Sequence, residues 1–280
     1  MIRRILIPFD PSPYAAAALE YGCFIAKQYK AEITGVVVLD TPGIEKSIGP
    51  IPLGGLYYAD KLEEQKTKEA HEHIKALLEK FKEKCEKEGV TNSETELQGL
   101  PGEQILHTSI FYDLVVMGLR TSYHFETEKK TYDSIEEILH HSSTPILAVP
   151  DHFEHKENRN ILIPFNGSRP ASRALKSFVH LLNASAAETN ITLLMSDPDV
   201  NAARFYLDGA EAYLKAHSYN NIKKEWTPQD IISVIKEKYL DWADLVVLGV
   251  HSKKGLFDFM VGSLSKSLIN EGNKPLLLGT

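Results

Sequence analysis

The sequence predicts an α/β protein made of two doubly wound domains, each built on a five-stranded parallel sheet. An internal repeat is the first reason: the segment RRILIPFDPS at 3–12 returns at 159–168 as RNILIPFNGS. A second repeat lies downstream, where DLVVMG at 113–118 returns at 244–249 as DLVVLG. Between the repeats, short apolar runs alternate with helical periodicity, which favours parallel strands joined by right-handed crossovers. The predicted parts are residues 1–150, a polar linker at 151–158, and residues 159–280.

The first half opens with a buried strand and a capped helix. Ile5 to Phe9 is a continuous apolar run, as in strands that are buried on both faces. Ser12 supplies an N-cap and Pro13 a first-turn proline for a helix over 14–29. The region 41–55 is rich in glycine and proline and is predicted to be a long loop. The remaining elements are strands at 33–39, 90–97, 114–118 and 146–149, an amphipathic helix at 57–88, a short helix from 102 and a helix at 132–141.

The second half repeats this order without the long loop. Its second predicted helix is also shorter than the one at 57–88. The predicted strands are 160–165, 190–195, 221–226, 244–249 and 275–279, and the predicted helices are 170–183, 200–217, 228–240 and 262–271.

Composition narrows the class of protein. A hydrophobic content of 43% with 25% charged residues is typical of a globular protein. The net charge of −7 argues against a nucleic-acid-binding surface, which normally needs a basic patch. No apolar run approaches the roughly 18 residues that a membrane span requires, so membrane insertion is not expected. Cys23 and Cys85 are too few for a disulfide framework or a zinc site and indicate a reducing cytoplasm.

The loop that follows DLVVLG at 244–249 is predicted to bind an anion. Ligands of open α/β sheets bind at the carboxyl ends of strands where the strand order reverses. Gly249 begins a loop with two lysines that ends in Gly262 and Ser263, at the predicted start of a helix. Glycine allows close backbone approach, first-turn N–H groups attract anions, and Ser263 and Ser265 add hydroxyl donors. The alternative is that Gly-Ser is a helix cap and the lysines are a solvated loop face.

These blocks resemble the universal stress protein family. Members that bind ATP carry Gly, two residues, Gly, nine residues, Gly, then Ser or Thr. Gly249, Ser252, Gly262 and Ser263 keep this spacing, with serine in place of the second glycine. Because both halves carry the blocks, the chain is similar to a tandem universal stress protein. The resemblance implies two flavodoxin-like domains packed as an intramolecular pseudo-dimer, with their last strands paired across the domains.

The resemblance also implies a set of nucleotide-binding residues in the second half. Asn166 stands where the family usually has aspartate, so it offers hydrogen bonds but no charge for a metal. The nucleoside side is implied to comprise Pro164, Phe165, Asn166 and Ser168, with Leu194 and Met195 near the base; the phosphate side is implied to comprise Gly249, Ser252, Gly262, Ser263 and Leu264, with the Ser265 hydroxyl beside them.

The first half departs from the motif and is predicted not to bind ATP. Asp133 stands where the second half has Gly262, and a carboxylate there would repel phosphate. Asp10 keeps the acidic residue of the family, but its simplest interpretation is a turn residue before Pro11.

The predicted function is that of a cytoplasmic stress-response protein that binds ATP or another adenine nucleotide, such as AMP, in its second domain. No paired carboxylates or histidine are placed to activate a water, so it is not expected to be an enzyme beyond slow ATP hydrolysis. The alternative is a nucleotide-free interaction module or a binder of a small lipid or metabolite. Mg²⁺ beside the nucleotide, a protein partner on the N-terminal domain and a homodimer are left open.

Overall fold

The computed structural model describes residues 1–51, 53–124, 134–152, 159–182, 186–250 and 263–279. These residues form a single ten-stranded sheet with helices on both faces. The strands are β1 Arg4–Pro8, β2 Glu32–Leu39, β3 Asn92–Gln98, β4 Leu114–Gly118, β5 Ile146–Val149, β6 Asn160–Pro164, β7 Asn190–Ser196, β8 Asn221–Thr227, β9 Leu245–Gly249 and β10 Leu276–Gly279.

The helices connect these strands in the alternating order that the sequence predicts, except that two helices lie between β2 and β3. They are α1 Pro13–Tyr29, α2 Thr41–Ile48, α3 Leu56–Glu88, α4 Pro101–Ser109, α5 Ser134–His141, α6 Arg169–Leu181, α7 Val200–Ala216, α8 Ile231–Val234, which continues as a π-helical turn over Ile235–Tyr239, and α9 Ser263–Glu271. None of the helices among the described residues is both long enough and apolar enough to cross a membrane.

The strand order of the sheet is β3-β2-β1-β4-β5-β10-β9-β6-β7-β8. Neighbouring strands are parallel within each half of the sheet, and the halves meet where β5 and β10 pair antiparallel. In that pair Leu277 lies opposite Leu147, and both are fully buried. The α/β class and the mostly parallel sheet are therefore confirmed. The chain reverses its direction of strand addition between β1 and β4 and again between β6 and β9, so these strand ends are the switch points.

Alternate residues of the inner strands supply two apolar cores, one on each face of the sheet. Ile5 and Ile7 belong to one core, whereas Leu6 belongs to the other. This is the pattern of strands covered on both faces, because successive side chains point to opposite sides. The continuous apolar run of the sequence is thus explained.

The long loop predicted at 41–55 is wrong over its first part, which forms helix α2. Asp40 caps this helix by accepting a hydrogen bond from the Gly43 N–H at 3.0 Å, and Pro42 lies in the first turn. Gly49 ends the helix with a φ of 75°. Proline in a first turn and glycine after a last turn are normal helix boundaries, so the same residues that indicate a loop also delimit a short helix. The predicted linker at 151–158 lies outside the described residues from 153 onward.

A repeated aspartate ties the fourth strand to the first in each half of the chain. The Asp113 carboxylate accepts hydrogen bonds from the Arg3 and Arg4 N–H groups at 2.7 and 3.0 Å. The Asp244 carboxylate accepts them from Arg159 and Asn160 at 3.1 and 2.9 Å. Each aspartate N–H also donates to the first strand, at 3.0 Å in the first half and 2.8 Å in the second. The DLVV blocks therefore recur for a structural reason.

Replacing either aspartate by alanine should weaken the fold by a similar amount. Asp113→Ala and Asp244→Ala each leave two strand N–H groups without their carboxylate, so we expect each to lower the free energy of unfolding by about 1–2 kcal/mol. Urea denaturation measures this loss. Asparagine at either position keeps an acceptor oxygen and should retain most of the stability. A loss at one position and none at the other would contradict the equivalence of the two sites.

Candidate functional site

A cavity of about 260 Å³ lies at the carboxyl ends of β6, β7 and β9, beside the start of α9. This volume is close to the lower end of the range of small-molecule sites, roughly 300–1,000 Å³. The cavity adjoins the switch point between β6 and β9, where ligands of open α/β sheets bind. Its described lining consists of Pro164, Phe165, Asn166, Ser168, Ala171, Leu194, Ser196, Ile231, Leu248, Gly249, Ser263, Leu264 and Ser265.

The turn after β6 positions the polar groups on one side of the cavity. The Phe165 N–H donates to the Leu194 carbonyl at 2.8 Å, which extends the pairing of β6 with β7 by one residue beyond Pro164. The Asn166 side-chain oxygen then accepts from the Ser168 N–H at 3.1 Å, a hydrogen bond typical of an Asx turn. The Ser168 hydroxyl accepts from the Ala171 N–H at 3.3 Å and so caps α6. Asn166 still has its amide N–H₂ group to offer a ligand.

Gly249 at the end of β9 has a packing role. A Cβ atom at this position would lie 2.3 Å from the Pro170 carbonyl carbon and 2.4 Å from the Ala171 nitrogen. Gly118 of the first half is equally crowded, since its Cβ would lie 2.4 Å from that of Tyr14. Both glycines let a strand end contact the first turn of a helix. Gly249 is therefore required by the packing of β9 against the first turn of α6, and it also lines the cavity.

The first turn of α9 also lines the cavity. Ser263 is exposed at the beginning of the helix, Leu264 is half-buried and Ser265 is 3% exposed. The N–H groups of a first turn have no acceptor within their own helix, and together with the helix dipole they favour a negative group nearby. The arrangement therefore suits an anion beside Ser263 in this cavity.

The structure places most of the predicted site residues around this cavity, with three exceptions. Ser252 and Gly262 lie outside the described residues. Met195 is buried in the core on the opposite face of the sheet from Leu194 and is not among the lining residues. The resemblance assigned both to the base, but neighbouring strand residues face opposite ways.

Four lining residues escaped the sequence prediction: Ala171, Ser196, Ile231 and Leu248. Ser196 was accessible to reasoning, because it lies two positions after Leu194 and so shares its face. Ile231 belongs to α8, and no local sequence pattern indicates that this crossover helix reaches the cavity.

The described lining is uncharged. Hydroxyl and amide groups come from Asn166, Ser168, Ser196, Ser263 and Ser265, and the other side chains are apolar. The Ser196 hydroxyl already donates to the Gln229 carbonyl at 2.7 Å. Within the described parts of the chain, no group of three or more His, Cys, Asp or Glu residues could hold a metal ion. The described lining therefore offers polar contacts without an anionic oxygen for Mg²⁺.

The corresponding strand ends of the first half are covered by the chain itself. Asp10, the counterpart of Asn166, is 2% exposed and accepts hydrogen bonds from both the Ser12 N–H and the Ser122 N–H, at 3.0 and 2.9 Å. Burial raises the pKa of the Asp10 carboxyl, and the hydrogen bonds from Ser12 and Ser122 oppose that shift. Tyr123 follows with 3% exposure, and burial together with the nearby Asp10 charge raises its pKa. We call residues 119–124 the covering segment.

A second contact holds the end of the covering segment. The Nδ1 atom of His124 lies 2.6 Å from the Oδ2 atom of Asp40, at the end of β2. Asp40 is 1% exposed and also caps α2, so one buried carboxylate organises both α2 and the covering segment. The cover over the first half is thus built from hydrogen bonds to two buried aspartates.

Replacing Asp10 by asparagine should loosen the covering segment. One asparagine oxygen can still accept from Ser12, as Asn166 accepts from Ser168, but the amide N–H₂ group would then face the Ser122 N–H. We expect the Ser122 amide to exchange its hydrogen roughly tenfold faster, because its acceptor is lost. Hydrogen-exchange mass spectrometry over 119–124 measures this. Asn166→Asp is the matched control and should leave that exchange unchanged; equal exchange in wild type and Asp10→Asn would show that Asp10 does not hold the segment.

Comparison with solved structures identifies the class of fold. A universal stress protein from Archaeoglobus fulgidus matches with a TM-score of 0.68 at 20% identity, over 98% of this chain and 97% of its own. A protein of unknown function from Pseudomonas aeruginosa matches with a TM-score of 0.63 at 14% identity, over 99% of this chain and 92% of its own. At these identities the similarity establishes the fold alone.

The sequence model of the universal stress protein family matches residues 1–150, and the chain therefore belongs to that family. A comparison with curated protein sequences found no significant match. One further universal stress protein has been solved in complex with cAMP; it shares 15% identity, covers 43% of this chain and has a TM-score of 0.35. That similarity is too low to transfer its ligand to this chain.

Proposed function

We propose that this protein is a tandem universal stress protein whose second domain, residues 159–280, binds an adenine nucleotide without efficient catalysis. One observation carries the proposal. At the carboxyl ends of its strands the described part of the second half has a cavity beside Asn166, whereas the corresponding Asp10 in the first half is buried and hydrogen-bonded to Ser122 of the covering segment. Nucleotide binding is therefore assigned to one half of the chain.

The tandem interpretation is supported by repeated geometry. The strand order from the outer edge to the seam is β3-β2-β1-β4-β5 in one half and β8-β7-β6-β9-β10 in the other. The Phe9 N–H donates to Val36 and the Phe165 N–H to Leu194, both at 2.8 Å. The family match ends at residue 150, so the assignment of the second half depends on these recurring contacts and on the fold similarity along the whole chain.

The seam between the halves supports an internal pseudo-dimer. The antiparallel pairing of β5 with β10 joins the two parallel half-sheets and covers an edge of each. Exposed sheet edges are prone to pair with other chains, so joining them within one chain protects both. Further association into a homodimer and a protein partner for the N-terminal domain stay predictions.

The lining suits the parts of an adenine nucleotide in different places. We assign the base to the apolar walls formed by Leu194, Leu248 and Leu264, since aromatic bases bind well in apolar clefts. We assign the ribose to Asn166 and the phosphate to Ser263 in the first turn of α9. The apolar walls, Asn166 and Ser263 all line the same cavity, so one nucleotide can contact all of them.

Efficient catalysis is not part of the proposal. Hydrolysis of a phosphate bond needs a group that positions or deprotonates the attacking water. The described lining contains neither a carboxylate nor an imidazole. For the same reason Mg²⁺ has no protein carboxylate in the described lining, and AMP binding should not depend on it. For this member of the universal stress protein family we propose a role in the cytoplasmic stress response.

Thermal unfolding in the presence of nucleotide tests the proposal. A ligand that binds the folded protein stabilises it by about 2.7 kcal/mol at one hundred times its Kd. We expect ATP and AMP to raise the Tm of the full chain, AMP equally well with and without a chelator of divalent cations. If neither nucleotide raises the Tm at millimolar concentration, the proposal is wrong, and the apolar walls would then favour a small metabolite or lipid as the ligand.

A further inference from the structure

The two cysteines of the chain are neighbours in the fold although they are far apart in the sequence. Cys23 lies in α1 and Cys85 in the last turn of α3, and both belong to the same apolar core, with exposures of 2% and 0%. Both thiols are free, and their side chains are in hydrogen-bond contact. A pair of facing thiols on two helices is a potential disulfide.

Ion pairs fix the two helices at the level of these thiols. Lys27 of α1 contacts Glu88 of α3 at 2.5 Å, and Lys84 of α3 contacts Glu20 of α1 at 3.6 Å. Lys84 also contacts Glu88, at 3.1 Å. Glu20 and Lys27 lie about one turn before and after Cys23. Lys84 immediately precedes Cys85, and Glu88 lies about one turn after it. The ion pairs therefore join α1 to α3 close to the two cysteines along each helix.

The electrostatics distinguish the two cysteines. The hydrogen bond from Cys85, helped by the charges of Lys84 and Lys27, lowers the pKa of Cys23 despite its burial and the opposing charge of Glu88. The hydrogen bond to Cys23, together with burial, raises the pKa of Cys85. Because the thiolate is the reactive form and Lys27 lies one turn after Cys23 on α1, we assign Cys23 as the nucleophile and Cys85 as the residue that resolves its oxidised product.

The position of Cys85 gives a small oxidant a route to the pair. Helix α3 ends at Gly89, and the Cys85 carbonyl accepts from the Val90 N–H at 2.9 Å in the turn that closes the helix. Helix ends open locally far more often than a whole domain unfolds. Hydrogen peroxide is small enough to enter during such an opening.

We propose that Cys23 and Cys85 form a reversible intramolecular disulfide on reaction with a peroxide. The Cys23 thiolate attacks one peroxide oxygen, the O–O bond breaks, and a sulfenic acid forms at Cys23 with release of hydroxide. The Cys85 sulfur then attacks the Cys23 sulfur, the S–O bond breaks, and hydroxide leaves while the Cys85 proton balances it as water. Two thiols are oxidised and one peroxide is reduced to two waters; a low-molecular-weight thiol reverses the step by exchange.

The disulfide would link α1 to α3 and so fasten the two helices that cover one face of the first half. Disulfides in reducing compartments are usually transient and sensing. The cysteine pair lies in the first half and the cavity in the second, so an experiment on the disulfide does not depend on whether the protein binds a nucleotide.

Peroxide treatment of the folded full chain tests the disulfide. After treatment, quenching and denaturation, maleimide labelling should find both thiols blocked in wild type, and intact mass should show the loss of two hydrogen atoms. Reduction should restore both thiols. Cys23→Ser and Cys85→Ser should each fail to form the link, and a peptide that joins residues 23 and 85 should be absent from them. Two free thiols in treated wild type, or a link between chains in place of the internal one, would overturn the proposal.

The charge network supplies a second readout in a protein that keeps both thiols. Lys84→Met removes one of the charges that favour the Cys23 thiolate and should slow disulfide formation roughly three- to tenfold. Lys82→Met alters an exposed lysine on the same helix and should leave the rate unchanged. Equal rates in the two variants would show that the network does not activate Cys23.

Discussion

Replacing Ser263 by aspartate should weaken adenine-nucleotide binding strongly while leaving the protein at least as stable as wild type. Ser263 is exposed in the first turn of α9 and lines the cavity. A carboxylate in a first turn stabilises the helix by about 0.3–1 kcal/mol. The same carboxylate would repel the phosphate that we assign to this turn and should weaken binding roughly ten- to hundredfold. Calorimetry and thermal unfolding measure the two effects in one variant.

Ser263→Asn is the matched control, because asparagine has nearly the shape of aspartate without its charge. We expect Ser263→Asn to bind nucleotide within a few-fold of wild type. Unchanged affinity in Ser263→Asp would mean that no phosphate lies near α9. Gly262→Asp extends the test to the loop before α9, since it imports the residue that the first half carries as Asp133. We expect Gly262→Asp to abolish binding.

Replacing Leu277 by alanine should destabilise the whole chain. Leu277 is fully buried in β10 opposite Leu147 of β5, at the seam of the ten-stranded sheet. Removing a buried leucine side chain costs the transfer free energy and leaves a cavity, so we expect a loss of about 2–5 kcal/mol in the free energy of unfolding. Because the seam joins the two half-sheets, both halves should unfold in one transition at a lower denaturant concentration.

Leu53→Ala provides the control for this prediction. Leu53 is fully exposed, and its truncation should change the unfolding free energy by less than about 0.5 kcal/mol. Intrinsic fluorescence and circular dichroism should follow a single transition in both variants. If Leu277→Ala unfolded the second half alone and left residues 1–150 unaffected, the two halves would be independent domains and the pseudo-dimer would be contradicted.

The order of strands and helices could be predicted because each buried strand has a continuous apolar run bounded by turn residues. Helix α2 was missed since Pro42 and Gly49 serve both loops and helix boundaries, and the deciding hydrogen bond from Gly43 to Asp40 is a matter of local geometry. The cavity residues near the repeats were predictable from their place at strand ends. Ile231 was not, because a crossover helix meets the cavity only through tertiary packing.

The cover over the first half also had no signal in the sequence. Asp10 was interpreted as a turn residue, which agrees with its hydrogen bond to Ser12. Its second contact, to Ser122 at 2.9 Å, joins residues that are far apart in the chain and depends on how the segment after β4 folds back. Sequence reasoning still predicted a loss of ATP binding in this half, but from Asp133, which lies outside the described residues.

Calorimetric titration of AMP and ATP into the full wild-type chain tests the central claim most directly, because it counts sites as well as detecting them. The first half is covered and the second has the cavity, so we predict one nucleotide per chain. Asn166→Ala should weaken that one site, whereas Asp10→Ala should leave the affinity of that site unchanged. Two equivalent sites per chain would contradict the assignment to one half, and no heat with either nucleotide would contradict nucleotide binding itself.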